Sequence, residues 1–232
     1  FFGGGSVFFA KEKAPAETIN DINNMVVNFY EVVQNDFDAL KEKVEATLFS
    51  RATYNVAWSI YRMPHLFSKL QQAWAFYIAT NLGFSSKVGS FGYDRYSKTV
   101  KAFKNKKIRF THEIAERLEN VQIEHHDACK VICSRDALDA FHYADPPYVN
   151  SDQGMYSGYT QEHFKSLLET LSQVKGKFLL SSYPSDILDE YIQKNGWYSK
   201  QFSKPLTAKK AIAGKSRDSK KTEVLTANYP LK

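Results

Sequence analysis

Phe141-His142-Tyr143-Ala144-Asp145-Pro146-Pro147-Tyr148 is the stretch on which the fold turns. Its first half reads as a short strand rich in aromatic residues, and its second half forbids that strand to continue. Each proline fixes φ and lacks an N–H, so a sheet ladder cannot run through Pro146 and Pro147. The strand therefore ends at Ala144 and leaves Asp145 at its carboxyl end, braced by two rigid residues.

Working outward, short apolar strands alternate with helical patterns. Val121–Glu124 reads as a strand, Ala128–Ser134 as a helix, Gln161–Gln173 as a helix, and Phe178–Ser182 as a strand. Ser185–Lys194 reads as a helix, with strands near Tyr198–Phe202 and Glu223–Ala227. Alternation of this kind predicts an α/β fold with a mainly parallel sheet covered on both faces. In such sheets ligands bind at the carboxyl ends of the strands, where Asp21, Asp127 and Asp145 are all expected. Glu17–Asn20 reads as a strand ending at Asp21. Between Asp21 and about Asn81 apolar residues recur at three- and four-residue spacing, over Met25–Val33, Phe37–Leu48, Tyr54–Tyr61 and Leu66–Leu82, and predict helices. Asn23 or Asn24 caps the first, and Pro64 separates the last two. From Phe84 to Lys107 helical periodicity fades among Gly89, Gly92 and interleaved aromatics, so a loop or hairpin is expected there. A further helix is expected at about Thr111–Leu118.

The 232 residues suit one sizeable domain or a domain with an appendage, and 43% hydrophobic residues can fill a core. No run approaches a membrane span, no secretory signal is present, and no membrane partner is expected. The chain opens without an initiator Met and is read as a piece that lacks its own N-terminus. Cys129 and Cys133 lie four apart on an expected helix, which suits reduced thiols and a cytoplasmic location. His125 and His126 precede them, but no second ligand pair of conventional spacing exists, so no metal is expected. The net charge of +6 is unevenly placed. Residues 84–112 and 200–221 each hold eight basic residues against one acid, so each nets +7 and the remainder carries −8. Two such segments fit a polyphosphate partner, while two solvated basic loops would look the same on charge alone.

Two clusters carry chemistry. Gly3-Gly4-Gly5 tolerates positive φ and lets backbone approach a ligand closely, and Asp21 at the end of the next strand can accept from ribose hydroxyls. A tight turn and a helix cap are the plainer readings of each. Asp145 and the carbonyl of Pro146, held rigidly, can both accept from one NH₂ group. An exocyclic amine is a poor nucleophile because its lone pair is conjugated with the ring. Two acceptors that draw its hydrogens out of plane favour the transition state in which nitrogen attacks a methyl group. Tyr148 offers a flat face for a base taken out of the duplex.

These residues resemble the Dam-like (D12 class) N6-adenine DNA methyltransferases along essentially the entire chain. Phe1-Phe2-Gly3-Gly4-Gly5-Ser6 is similar to the family's cofactor-binding FxGxG motif, and Ile19–Asn23 to the segment carrying the ribose-binding acid. Asp127 matches the acid near the cofactor adenine, and Asp145-Pro146-Pro147-Tyr148 the catalytic DPPY motif. Lys177–Pro184 and Lys221–Tyr229 also look typical. The family's earlier strand and NYxGGK-like motif are absent. The resemblance implies a Rossmann-like sheet, mostly parallel with one antiparallel strand, S-adenosylmethionine as cofactor without metal, and base flipping in double-stranded DNA at a short specific site. It implies a catalytic domain of residues 1–49 and 116–232, with residues 50–115 as the DNA target-recognition insertion. Cofactor contacts are expected from Phe1, Phe2, Gly3, Gly4, Gly5, Asp21, Asp127 and Asp145. DNA contacts are expected from Lys87, Tyr93, Arg95, Lys98, Lys101, Lys209 and Lys210. A bacterial or phage source, a monomeric state and a cognate restriction endonuclease as partner complete the expectation. Two other readings stay open: a non-catalytic nucleic-acid binding module, and methylation of another planar amine or amide such as an RNA adenine or a protein glutamine.

Overall fold

The computed structural model describes residues 1–83, 89–149, 158–205 and 220–231. It divides into two compact units, one of residues 2–125 and one of Phe1 with residues 126–232.

The first unit is mostly helical. It contains α1 (Ser6–Ala10), β1 (Thr18–Asn20), α2 (Asn24–Asn35), α3 (Phe37–Ala46), α4 (Arg51–Arg62), α5 (Lys69–Leu82), α6 (Lys98–Ile108), α7 (His112–Leu118) and β2 (Gln122–Glu124). Helix α5 is its axle and packs against α2, α3, α4 and α6. Ala73, Ala75, Ile78 and Ala79 are fully buried, and three small side chains in four let neighbouring helices come close on several sides. The start of α5 differs from the sequence reading. Leu66 belongs to a short 3₁₀ turn, Pro64–Leu66, and the helix proper begins at Lys69. Ser68 and Gln71 form a reciprocal cap that fixes this boundary. Asn23, not Asn24, caps α2, accepting from the Met25 N–H at 3.0 Å. β1 and β2 pair in parallel, Ile19 opposite Ile123.

The loop or hairpin expected from Phe84 to Lys107 is corrected over its second half, where α6 runs from Lys98 to Ile108. Its lysines and alanine favour helix, and the single buried anchor Phe103 seats it, so little apolar periodicity is needed. Asp94 nucleates it. One carboxylate oxygen accepts from the N–H groups of Tyr96 and Lys98, and the other from the N–H and hydroxyl of Thr99. Those bonds hold the Asp94 carboxyl well below the usual range. Among the described residues around the first half, an antiparallel bridge joins Gly83 to Phe91.

The second unit contains α8 (Ala128–Arg135), β3 (Phe141–Ala144), α9 (Gln161–Ser172), β4 (Lys177–Ser182), α10 (Asp186–Asn195), β5 (Tyr198–Pro205) and β6 (Lys220–Ala227). Its sheet has the order β3-β4-β6-β5, with β3 parallel to β4 and β6 antiparallel to both neighbours. The molecule is therefore mixed α/β as expected. Among the described residues the ladders form a two-stranded and a four-stranded sheet, where the sequence suggested one; three-residue strands such as β1 and β2 leave few groups to extend a ladder. Phe178, Leu180, Leu167, Leu168, Leu171 and Leu188 form the core, all at or near zero exposure. The entry into β4 is set by Gly176, where any side chain would meet the Ala140 carbonyl at 2.5 Å. Asp136 accepts from the N–H groups of Lys175 and Gly176, and the Lys177 N–H reaches Ala140 at 2.8 Å. This aligns β3 with β4 and so aims the carboxyl end of β3.

Candidate functional site

Two sets of residues singled out by the sequence are built here, each within its own unit. In the first, Phe2-Gly3-Gly4-Gly5 makes a tight turn closed by the Gly5 N–H on the Phe2 carbonyl at 2.9 Å. Gly3 and Gly5 have φ of 52° and 63°, the left-handed region that side chains resist. The Tyr30 hydroxyl donates to the Gly3 carbonyl at 3.0 Å, and burial, aided by the charge of Asp21, pushes the phenol far above its usual range. Gly4 stays exposed with open space beside its α-carbon, which fits close approach of a ligand.

Asp21 is 1% exposed, and its carboxylate accepts from backbone N–H groups. One oxygen accepts from the N–H groups of Phe2 and Gly3 at 2.8 and 2.9 Å, and the other from Asn23 at 2.8 Å.

In the second unit, Asp145 stands at the end of β3 on a buried Pro146. The Tyr148 hydroxyl donates to its carboxylate at 3.3 Å and lies 3.1 Å from the Ser181 hydroxyl on β4. The nearby Ser181 hydroxyl also lowers the Asp145 carboxyl and the Tyr143 phenol. Asp145 keeps an exposed edge, yet the atoms packed around its other side displace water. That burial raises its carboxyl above the usual range; the bonds from Tyr148 and Ser181 offset this in part, while Glu223 on β6 adds to it. Burial and the neighbouring Asp145 charge push the Tyr143 phenol up to about 12. Tyr148 packs against Tyr183, ring centres 4.1 Å apart and tilted by 41°. Pro146, Pro147, Tyr148, Ser182 and Tyr183 line a cleft of about 90 Å³. The buried Ser182 hydroxyl has no hydrogen-bond partner among the described residues.

Of the remaining expected residues, Phe1 packs edge-on against Tyr159 at 5.7 Å and Asp127 is exposed, capping α8 through the Lys130 N–H at 3.1 Å. Tyr93, Arg95, Lys98 and Lys101 are exposed on and before α6. Lys87, Lys209 and Lys210 lie outside the described residues. Lys107, from the same basic run, is taken up inside the unit: its ammonium donates to the carbonyls of Glu45 and Thr47 at the end of α3.

Sequence reasoning assigned no role to Ser181, Tyr183, Glu223 or Arg51. Ser181 on β4, Tyr183 just past its end and Glu223 on β6 are tied to β3 only through the sheet, where β4 pairs with β3 and β6 with β4. Arg51 opens α4, and its guanidinium lies over the rings of Phe91 and Tyr93 at 5.0 and 5.5 Å. The only signal for it was an arginine followed, forty residues later, by a cluster of aromatics.

Among the described residues no group of three or more potential ligands is placed to hold a metal ion, and no helix is long and apolar enough to cross a membrane. No curated protein is similar enough to the chain to count as a relative. The model of the D12 class N6 adenine-specific DNA methyltransferases matches residues 1–204, most of the sequence and both motif clusters described above, and the chain belongs to that family.

Proposed function

We propose that this protein transfers a methyl group to the N6 amino group of adenine in double-stranded DNA, at a short specific site, with S-adenosylmethionine as donor. The family supports adenine methylation of DNA in general. The observation that carries the finer reading is the Asp145 carboxylate, set on a buried proline at a strand end beside a cleft walled by Tyr148 and Tyr183.

In this reading the adenine leaves the duplex and stacks on Tyr148. Its amino group donates to Asp145 and to the Pro146 carbonyl, and those acceptors draw the nitrogen towards a tetrahedral geometry with an available lone pair. Ser181 and Tyr148 hold the carboxylate in place while this happens. The donor supplies an electrophilic methyl on a sulfonium centre, so no metal is required. On the cofactor side, the open face of Gly4 fits close approach of a nucleoside ligand, with Phe2, Gly3 and Gly5 shaping the turn; Phe1 and Asp127 keep the cofactor role that the family resemblance implies. Residues 50–115 serve as the target-recognition insertion, where Tyr93, Arg95, Lys98 and Lys101 meet DNA, joined by Lys87, Lys209 and Lys210. The Rossmann-like sheet of the family is the frame assumed for residues 1–49 and 116–232.

Incubating the protein with methyl-labelled donor and an adenine-containing duplex tests this. Label should appear in N6-methyladenine; its absence there, with the protein folded, overturns the reading. RNA and protein substrates in parallel should stay unlabelled.

A further inference from the structure

The geometry points to Arg51 as a DNA-contacting residue, its guanidinium held over two aromatic rings and its N–H edge left for a pair of acceptor atoms on the duplex. This rests on the DNA reading above.

Helix α4 opens with Arg51, and the Ser50 side chain fixes that start by accepting from the Thr53 N–H at 3.0 Å. A cation in the first turn is opposed by the helix dipole, so the helix itself gains nothing from an arginine there. No acid answers it either. The first turn of α4 holds none, and Asp94 spends its oxygens on Tyr96, Lys98 and Thr99. Among the described residues the exposed Arg51 makes no hydrogen bond or ion pair; its contacts are with the rings of Phe91 and Tyr93, at 5.0 and 5.5 Å. Those rings belong to a seated segment. Phe91 packs against Phe49 and Tyr54, ring centres 5.2 and 5.7 Å apart. The Gly92 N–H donates to the Leu82 carbonyl at 2.7 Å, and the Gly89 N–H to the Tyr54 hydroxyl at 2.8 Å. Tyr93 nevertheless stays 69% exposed, and Arg95, Lys98 and Lys101 follow it at the surface. Aromatic contact engages the face of a guanidinium and leaves its five N–H donors along the edge. A fork steadied in this way has given up part of its rotamer freedom before any ligand arrives. It suits two oxygens of one phosphate, or O6 and N7 of a guanine, and both pairs of acceptors belong to a DNA duplex.

Binding titrations with wild-type protein, Arg51→Ala and Arg51→Lys test this, at several salt concentrations and on duplexes altered one base pair at a time. Arg51→Ala should weaken binding by about tenfold. If the acceptors are phosphate oxygens, the loss is equal on every duplex and the slope of log K against log salt falls by about 0.9. If they are a guanine edge, the loss vanishes on duplexes in which that one guanine is replaced. Arg51→Lys keeps the charge but has no fork, and should recover little of the affinity. Wild-type affinity in either variant overturns the contact. Protection of the Gly92 N–H from exchange separates contact from scaffolding: it should be the same in wild type and Arg51→Ala, and binding lost in step with that protection overturns the proposal. Where the alanine variant does not fold, Arg51→Gln, which keeps a flat polar tip, carries the same comparison. A wild-type protein that binds no duplex at all would sink the DNA reading and the contact with it, whereas duplex binding indifferent to Arg51 sinks the contact alone.

Discussion

The Tyr148 hydroxyl sits between two partners, donating to the Asp145 carboxylate at 3.3 Å and lying 3.1 Å from Ser181. The tyrosine of the motif is therefore bound at its polar end as well as offering a ring. The two contributions can be separated. Tyr148→Phe keeps the stacking face and loses two hydrogen bonds, each worth about 1 kcal/mol, so kcat should fall by roughly thirtyfold. Tyr148→Ala removes the face as well and should cost about a further 1–3 kcal/mol in binding an extruded base. Single-turnover rates and base-analogue fluorescence at the target position measure the two effects. Equal losses for both variants would show that the ring does not stack.

In the proposed mechanism Asp145 must be ionised to accept from the amino group. Its carboxyl is raised by burial, with Glu223 adding to the shift, so protonation on acidification begins at a higher pH than for an ordinary carboxyl. The acid limb of kcat/KM should lie correspondingly high. Glu223→Gln removes one raising influence and should move that limb to lower pH. Ser181→Ala removes a lowering hydrogen bond and should move it to higher pH. Opposite displacements in the two pH profiles are the expected result; displacement in the same direction contradicts the arrangement. Asp145→Ala should abolish transfer while leaving DNA binding largely intact.

Glu17 and Arg117 form a two-pronged ion pair, 2.5 and 2.9 Å, with Arg117 also donating to the Phe8 carbonyl at 3.1 Å. Burial would raise the Glu17 carboxyl, but bonds from Arg117, Lys11 and the Ala14 N–H outweigh it and bring it down to about 2, from 4.5. The folded state thus holds its proton more weakly than the unfolded chain. The resulting stability is fully present above pH 4.5 and is lost as pH falls towards about 2. Urea titrations across this window should show the loss in the wild type and a flatter profile in Glu17→Gln. Arg117→Ala leaves the acid with Lys11 and the Ala14 N–H but without its two-pronged partner, and should lower the urea midpoint at neutral pH.

If α6 lies on DNA, its exposed lysines act by releasing counterions. Lys98→Ala and Lys101→Ala should each weaken binding about equally for all sequences and reduce the slope of log K against log salt by about 0.9. Lys107→Ala, whose ammonium is bound to Glu45 and Thr47, should change stability and leave the slope unaltered. Binding titrations at several salt concentrations distinguish the three.

Local chemistry made several features legible in the one-dimensional chain. The prolines after Asp145 ended β3 at Ala144, Asn23 and the apolar spacing announced α2, and β–α alternation after Val121 announced the mixed class. Each depends on residues within a few positions of one another, where backbone sterics and periodicity suffice. Helix α6 escaped notice because a solvated, lysine-rich helix seated by Phe103 leaves hardly any apolar rhythm to read.

Pairings over long separations belonged to the tertiary structure alone. Ser181 reaches Tyr148 across 33 positions because β3 and β4 lie in register. The Asp21 carboxylate accepts from the N–H groups of Phe2 and Gly3, 19 and 18 positions away. A sequence specifies which residues carry a charge or a hydroxyl. Where those groups spend their hydrogen bonds is settled by burial, because in a nearly water-free interior a donor left without an acceptor is costly and most find one close by.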